Sequence, residues 1–179
     1  MANILAERVF SIKSPRVGLL NNGAEEIKGN KLTKETHQFL KKTNLNFIGN
    51  VEGFDVMKGK ADIIVMDGFS GNILIKTIEG YSEVIQNLLE LQEASELDRQ
   101  LTGSALAQYV QMVSAIKKLD YKEVGGAYVL GVNGNVIITH GRSRAKTIKN
   151  AVYLAYIAAR QGVVEAIKNG QYATEPQPA

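Results

Sequence analysis

Cysteine is absent from the 179 residues, and histidine occurs only at His37 and His140. Without cysteine there is no disulfide scaffold, no thiol nucleophile and no thiolate metal site, and the chain is compatible with a reducing compartment. Two imidazoles give zinc little to hold, so no metal site is expected. Long apolar runs are missing too: each falls well short of the roughly 20 residues that span a bilayer. The opening stretch from Met1 to Arg8 lacks the basic region, apolar run and small-residue cleavage site of a secretory signal, which makes the cytoplasm the expected location. Acidic residues are missing between Glu123 and Glu165, where Arg142, Arg144, Lys146, Lys149 and Arg160 all lie. That segment should attract an anion. The overall charge of +3 is too mild to argue for a nucleic acid partner.

What remains has the composition of a folded domain, 45% hydrophobic and 22% charged. A chain of this length can bury roughly 70% of its unfolded surface. Residues 1–170 read as one unit and 171–179, with two prolines, as a loose tail.

Short apolar runs alternate with helical patterns. Ile4 to Phe10 reads as the tail of a helix without a capping residue, as though the chain began in mid-fold. Val17–Leu20, Leu45–Ile48 and Ala61–Met66 read as strands, with a helix at Thr33–Lys42. Strands alternating with helices imply a mostly parallel sheet and an α/β fold. From Ile73 to Leu97, the spacing of Tyr81, Val84, Ile85, Leu88 and Leu89 puts them on one helical face. A second stripe follows from Leu97 to Ile116. Tyr128–Leu130 and Val136–Ile138 read as a hairpin, and one last helix starts near Ser143 with Ile148, Val152, Ala155, Ala159, Val163 and Ile167 at core spacing.

Three Gly- and Asn-rich loops follow apolar runs: Asn21–Asn30, Asp67–Asn72 and Thr139–Ser143. Ligands of parallel sheets settle beyond the carboxyl ends of strands, so these loops are expected to converge on one site. Candidate substrate-binding positions are Asn21, Gly23, Ser70, Gly71, His140, Gly141 and Ser143. The third loop enters a helix whose free N–H groups favour phosphate, with Arg142 or Arg144 adding charge; alternatively, Ser143 is an ordinary cap and the arginines are solvated. Lys28, beside Glu25, Glu26 and Gly29, could fix phosphate or steady an oxyanion, or be a surface charge. Asn72 can donate and accept hydrogen bonds at a ligand, or Asn72 or Ser70 can simply cap the next helix. His140 could bond a phosphate oxygen or a buried carbonyl.

Read in order, Pro15–Asn21, Glu25–Glu26, Lys28–Asn30, Leu32–Glu35, Asn46–Gly53, Ala61–Val65, Asp67–Asn72, Gly125–Ala127 and His140–Gly141 resemble the PlsX phosphate acyltransferases from about Ala6 to Ala166. The resemblance implies an isocitrate-dehydrogenase-like α/β fold, homodimerisation, and exchange of a long fatty acyl chain between acyl carrier protein and inorganic phosphate, giving acyl phosphate for phospholipid synthesis. It implies no metal or organic cofactor. The family's essential lysine falls on Lys28 and its essential asparagine on Asn72. Direct attack of phosphate on the thioester would then use Lys28 to bind phosphate and Asn72 to stabilise the oxyanion. The family also touches membranes peripherally through an apolar helical segment, and Leu97–Ile116 occupies the corresponding region.

Two departures stand out. Arg142 and Arg144 replace small or acidic residues, so the anion site is altered or the extra charge faces solvent. The family also has about as many residues again on the N-terminal side, so the N-terminal portion of the fold is expected to be missing. The rival expectations are an inactive family-derived partner that dimerises or binds acyl carrier protein, and a phosphotransacylase using acyl-coenzyme A.

Overall fold

The computed structural model describes residues 1–93 and 124–172. The Leu97–Ile116 stripe lies outside the described residues, and so does the expected tail apart from Gln171 and Tyr172. In chain order the elements are α1 (Ala2–Arg8), β1 (Arg16–Leu20), α2 (Lys31–Lys41), β2 (Asn46–Val51), α3 (Gly53–Met57), β3 (Ile63–Val65), α4 (Gly68–Glu93), β4 (Ala127–Val129), β5 (Val136–Ile138), α5 (Ala145–Arg160) and α6 (Val163–Tyr172). By internal packing the chain divides into two compact units. One is built from Met1–Gly71, Val129–Val136 and the chain from Ala155 onward, the other from the remainder.

The first unit contains a three-stranded sheet in the order β2-β1-β3. Both neighbours run parallel to β1. The central strand is the most buried, with Val17 and Leu19 each 2% exposed and Val51 of β2 fully covered. This is why Val17–Leu20 reads as an unbroken apolar run rather than an alternation. Parallel pairing requires a crossover, and α2 supplies the one from β1 to β2. That helix starts two residues before the periodicity suggested, because the Asn30 side chain accepts the Thr33 N–H at 2.9 Å and caps it. The five-residue α3 carries too little pattern to be read from sequence; Asp55 closes its start by accepting the Glu52 N–H at 3.2 Å.

Arg16 fastens the entry of β1 to that of β3. Its Nε and Nη2 donate to the two oxygens of Asp62, each at 2.9 Å, and its backbone N–H donates to Asp62 Oδ2 at 2.8 Å. These bonds hold the Asp62 carboxyl at about 2, against an ordinary 3.8, chiefly through the Arg16 side chain and then its backbone. A depressed folded-state value stabilises the fold above the unfolded value and loses that contribution as pH falls through the folded one. Asp62→Asn is therefore expected to lower the thermal unfolding midpoint at neutral pH. Its deficit relative to the parent should shrink as pH falls below 3.8 and vanish near 2, in melts followed by circular dichroism.

Within the same unit α1 packs against α6, so closely that a Cβ on Gly170 would stand 2.7 Å from Ile4 Cδ1. The single last helix expected from Ser143 is in fact two. Gly162 adopts φ 60° and donates its N–H to Ala159 O, ending α5 in the left-handed conformation that glycine tolerates best. The buried stripe of α5 is also turned by one residue from the expected one. Thr147, Ala151 and Ala158 are buried, whereas Ile148 and Val152 are 47% and 65% exposed. Val163 and Ile167, on α6, are buried as their spacing implied.

In the second unit the reason for that rotation is visible. A Cβ on Gly125 would come within 2.7 Å of Ala151 N, so the narrow, small-residue side of α5 is the one that admits close backbone approach. Tyr128 bridges the same helix by donating its hydroxyl to Leu154 O at 3.0 Å, and burial raises its phenol. β4 and β5 form the expected two-stranded sheet. On α4, Tyr81, Val84 and Ile85 share a face as their spacing requires, and that face is exposed. No described helix is long and apolar enough to cross a membrane.

Candidate functional site

Because β1 and β3 are parallel neighbours, with Leu19 opposite Val65, their carboxyl ends open at the same edge of the sheet. The loop after β1 carries Asn21, Gly23 and Lys28, and β3 leads through Asp67 into the first turn of α4, which carries Ser70 and Gly71. The structure thus brings the first two of the expected loops to one edge. Asn72 opens the second unit, where His140, Gly141 and Ser143 also lie.

The loop after β1 is built around Lys28. Its N–H donates to Glu25 O at 3.1 Å, closing a turn, and its carbonyl accepts Asn21 Nδ2 at 3.1 Å. Asn21 Oδ1 meanwhile accepts the Asn22 N–H at 2.8 Å. The Asn21 side chain therefore holds the loop from inside. The aliphatic stem of Lys28 lies over buried Gly23, where an added Cβ would stand 2.7 Å from Lys28 Cγ, and the Lys28 side chain is exposed. Gly29, at φ 98°, turns the chain into α2. A Cβ there would stand 2.1 Å from Thr33 Oγ1 and 2.5 Å from Asn21 Oδ1, in a backbone conformation that side chains resist.

Of the two neighbouring carboxylates, Glu26 is engaged by Gln38 Nε2 at 2.7 Å and Lys41 Nζ at 3.0 Å. Those bonds, Gln38 first and Lys41 next, lower its carboxyl and keep it ionised. Much of its charge is thereby answered within the loop's own support.

The turn after β3 corrects an expectation. The helix begins at Gly68, so Phe69 to Asn72 are already helical, and neither Ser70 nor Asn72 caps it. Asp67 does: Oδ1 accepts the N–H groups of Phe69 and Ser70, each at 3.0 Å, and Oδ2 accepts the Ser70 hydroxyl at 2.6 Å. The Ser70 bonds, then that of Phe69, lower the Asp67 carboxyl. With the cap supplied by Asp67, the exposed Asn72 side chain is not needed to start the helix. An aspartate immediately ahead of the helical pattern was the available signal for Asp67.

In the third loop, Ser143 N donates to His140 O at 2.9 Å and Arg142 N to His140 Nδ1 at 3.1 Å. Helix α5 starts two residues later, at Ala145, with the Ile148 N–H bonded to Arg144 O at 3.0 Å, so Ser143 is not its cap. The Ser143 hydroxyl oxygen is buried with no hydrogen-bond partner among the described residues. Arg142 and Arg144 are exposed. Among the described residues no three His, Asp or Glu side chains are grouped to ligate a metal ion.

Two further residues escaped the sequence reading. Asn50, at the end of β2, donates Nδ2 to Glu25 O at 2.8 Å, and its Oδ1 lies 2.8 Å from His37 Nδ1. Both are nearly fully buried.

Residues 1–166 match the family model described as "Fatty acid synthesis protein". The chain is 50% identical to the phosphate acyltransferase of Dehalococcoides mccartyi, over 93% of this chain and 48% of that protein. It is 53% identical to that of Dictyoglomus thermophilum, over 87% and 46%, and 46% identical to that of Desulforamulus reducens, over 94% and 50%. The chain spans about half the length of the curated relatives it matches.

Proposed function

The chain belongs to the fatty acid synthesis protein family, and on that premise we propose that it carries the phosphate-side chemistry of an acyltransferase. Phosphate attacks the carbonyl carbon of a long-chain acyl thioester on acyl carrier protein. The C–S bond breaks, the thiol leaves on the carrier, and the acyl phosphate goes to phospholipid synthesis. Lys28 binds and orients the phosphate, and Asn72 donates to the oxyanion that forms on the carbonyl oxygen. The observation that carries this reading is the loop after β1. Lys28 is fixed through both its N–H and its carbonyl while its side chain is left exposed at the carboxyl edge of a parallel sheet.

The same reading makes the working enzyme a homodimer in which Leu97–Ile116 touches the membrane surface. The fold is the isocitrate-dehydrogenase-like one, completed by the further length its relatives have. The test is phosphate-dependent deacylation of acyl carrier protein and of acyl-coenzyme A, by the chain alone and together with the other half of a relative. Acyl phosphate from the carrier thioester in either format supports the proposal. Turnover only with acyl-coenzyme A would reassign the donor, and no turnover in any format would make the chain a non-catalytic partner.

A further inference from the structure

We propose that the buried His37–Asn50 pair is a positioning device for Lys28, acting through the backbone of the loop that carries it. The inference rests on the phosphate-binding role given to Lys28 above. His37 on α2 is 5% exposed and Asn50 on β2 is 4% exposed. Asn50 Nδ2 donates to Glu25 O at 2.8 Å, and the same oxygen accepts the Lys28 N–H at 3.1 Å. One carbonyl thus ties the amide of Lys28 to a side chain rooted in the sheet.

The polarity of the pair follows from that tie. Since Asn50 spends its NH₂ group on Glu25, the atom facing His37 is its carbonyl oxygen, and His37 Nδ1, 2.8 Å away, must be the protonated nitrogen that donates. His37 Nε2 then faces Glu26 Oε2 at 4.0 Å. Glu26 is the next loop residue and is itself held by Gln38 and Lys41 of α2. The Phe47 ring packs edge-on against the imidazole, with centroids 5.1 Å apart. An apolar pair of similar volume would fill this space without the cost of desolvating an amide and a ring N–H. What an apolar pair could not do is hold Glu25 O at one point, and so fix where Lys28 leaves the backbone.

The test uses the full chain, followed by backbone amide exchange and by lysine acylation with and without inorganic phosphate, both read by mass spectrometry. Asn50→Asp keeps the shape and the acceptor for His37 but has no N–H for Glu25 O. Exchange of the Lys28 amide is expected to accelerate about tenfold or more, with the Leu19 amide of β1 unchanged. Phosphate, which shields Lys28 from acylation several-fold in the parent, should no longer do so, while exposed Lys34 reacts alike in both. His37→Phe should reproduce both losses. His37→Asn, whose N–H donor stands as many bonds from Cα as Nδ1, should restore both.

Exchange at Lys28 within about twofold of the parent in Asn50→Asp would overturn the proposal. So would intact phosphate shielding in that variant, or equal losses in His37→Asn and His37→Phe. If the buried carboxylate unfolds the sheet, seen as fast exchange at Leu19, the two His37 variants decide by the same criteria. A parent chain in which phosphate leaves Lys28 unshielded removes the premise, and the proposal with it. That result is distinct from a failed clamp, which leaves the parent shielded.

Discussion

Replacing Lys28 by alanine is expected to lower phosphate-dependent acyl transfer in the assembled enzyme by about a hundredfold or more, some 2.7 kcal/mol of transition-state stabilisation. The ammonium group is the only part of the loop after β1 assigned to the phosphate, and an alanine leaves the backbone clamps at Glu25 O and Asn21 Nδ2 untouched. The side chain is exposed, so the unfolding midpoint should move little, by the equivalent of about 0.5 kcal/mol at most. Rates measured against phosphate concentration should show the loss mainly as a raised KM for phosphate, since the proposed role of Lys28 is to hold the anion. A fall of less than about tenfold would remove Lys28 from the mechanism.

Asn72→Ala is expected to cost a comparable factor, about a hundredfold, but in kcat, because a donor to the oxyanion acts only once the tetrahedral species forms. The KM for phosphate should stay near the parent value. The structure separates this from damage to α4. Asp67 makes the cap through Phe69 and Ser70, so alanine at Asn72 sits in a helix already started and suits it better than asparagine does. Asp67→Ala is the control that does touch the helix, and it should lower the unfolding midpoint. If Asn72→Ala loses stability as Asp67→Ala does and keeps its rate, the residue is structural and the oxyanion role is wrong.

Much of this was legible in the chain as written. β1 read as a strand because a parallel strand covered on both faces becomes a run such as Val17–Leu20, and β2 and β3 read as strands from the short apolar runs at Leu45–Ile48 and Ala61–Met66. The segments after β1 and β3 read as ligand loops because glycine and asparagine follow those runs. Other features were hidden. Ile148 and Val152 mark a stripe at the right period, yet the buried one is Thr147, Ala151 and Ala158, chosen by the close approach of Gly125 to the α5 backbone. Periodicity gives the pitch of a face but not which face a neighbour covers. Asn50 entered the reading only as part of the Asn46–Gly53 stretch, and His37 only as one of two histidines. Nothing in their spacing of 13 residues signals a hydrogen bond.

The sequence by itself determined the membership and the alternation of strands and helices, both written in local patterns of residue type, and through the family resemblance it nominated Lys28 and Asn72 for test. Tertiary structure alone decided what supports Lys28. Only when β2 lies parallel beside β1, with α2 packed against that pair, do Asn50, His37 and Glu25 come within hydrogen-bond reach. Contacts of that kind depend on the register and crossing of elements, which no local window of sequence encodes.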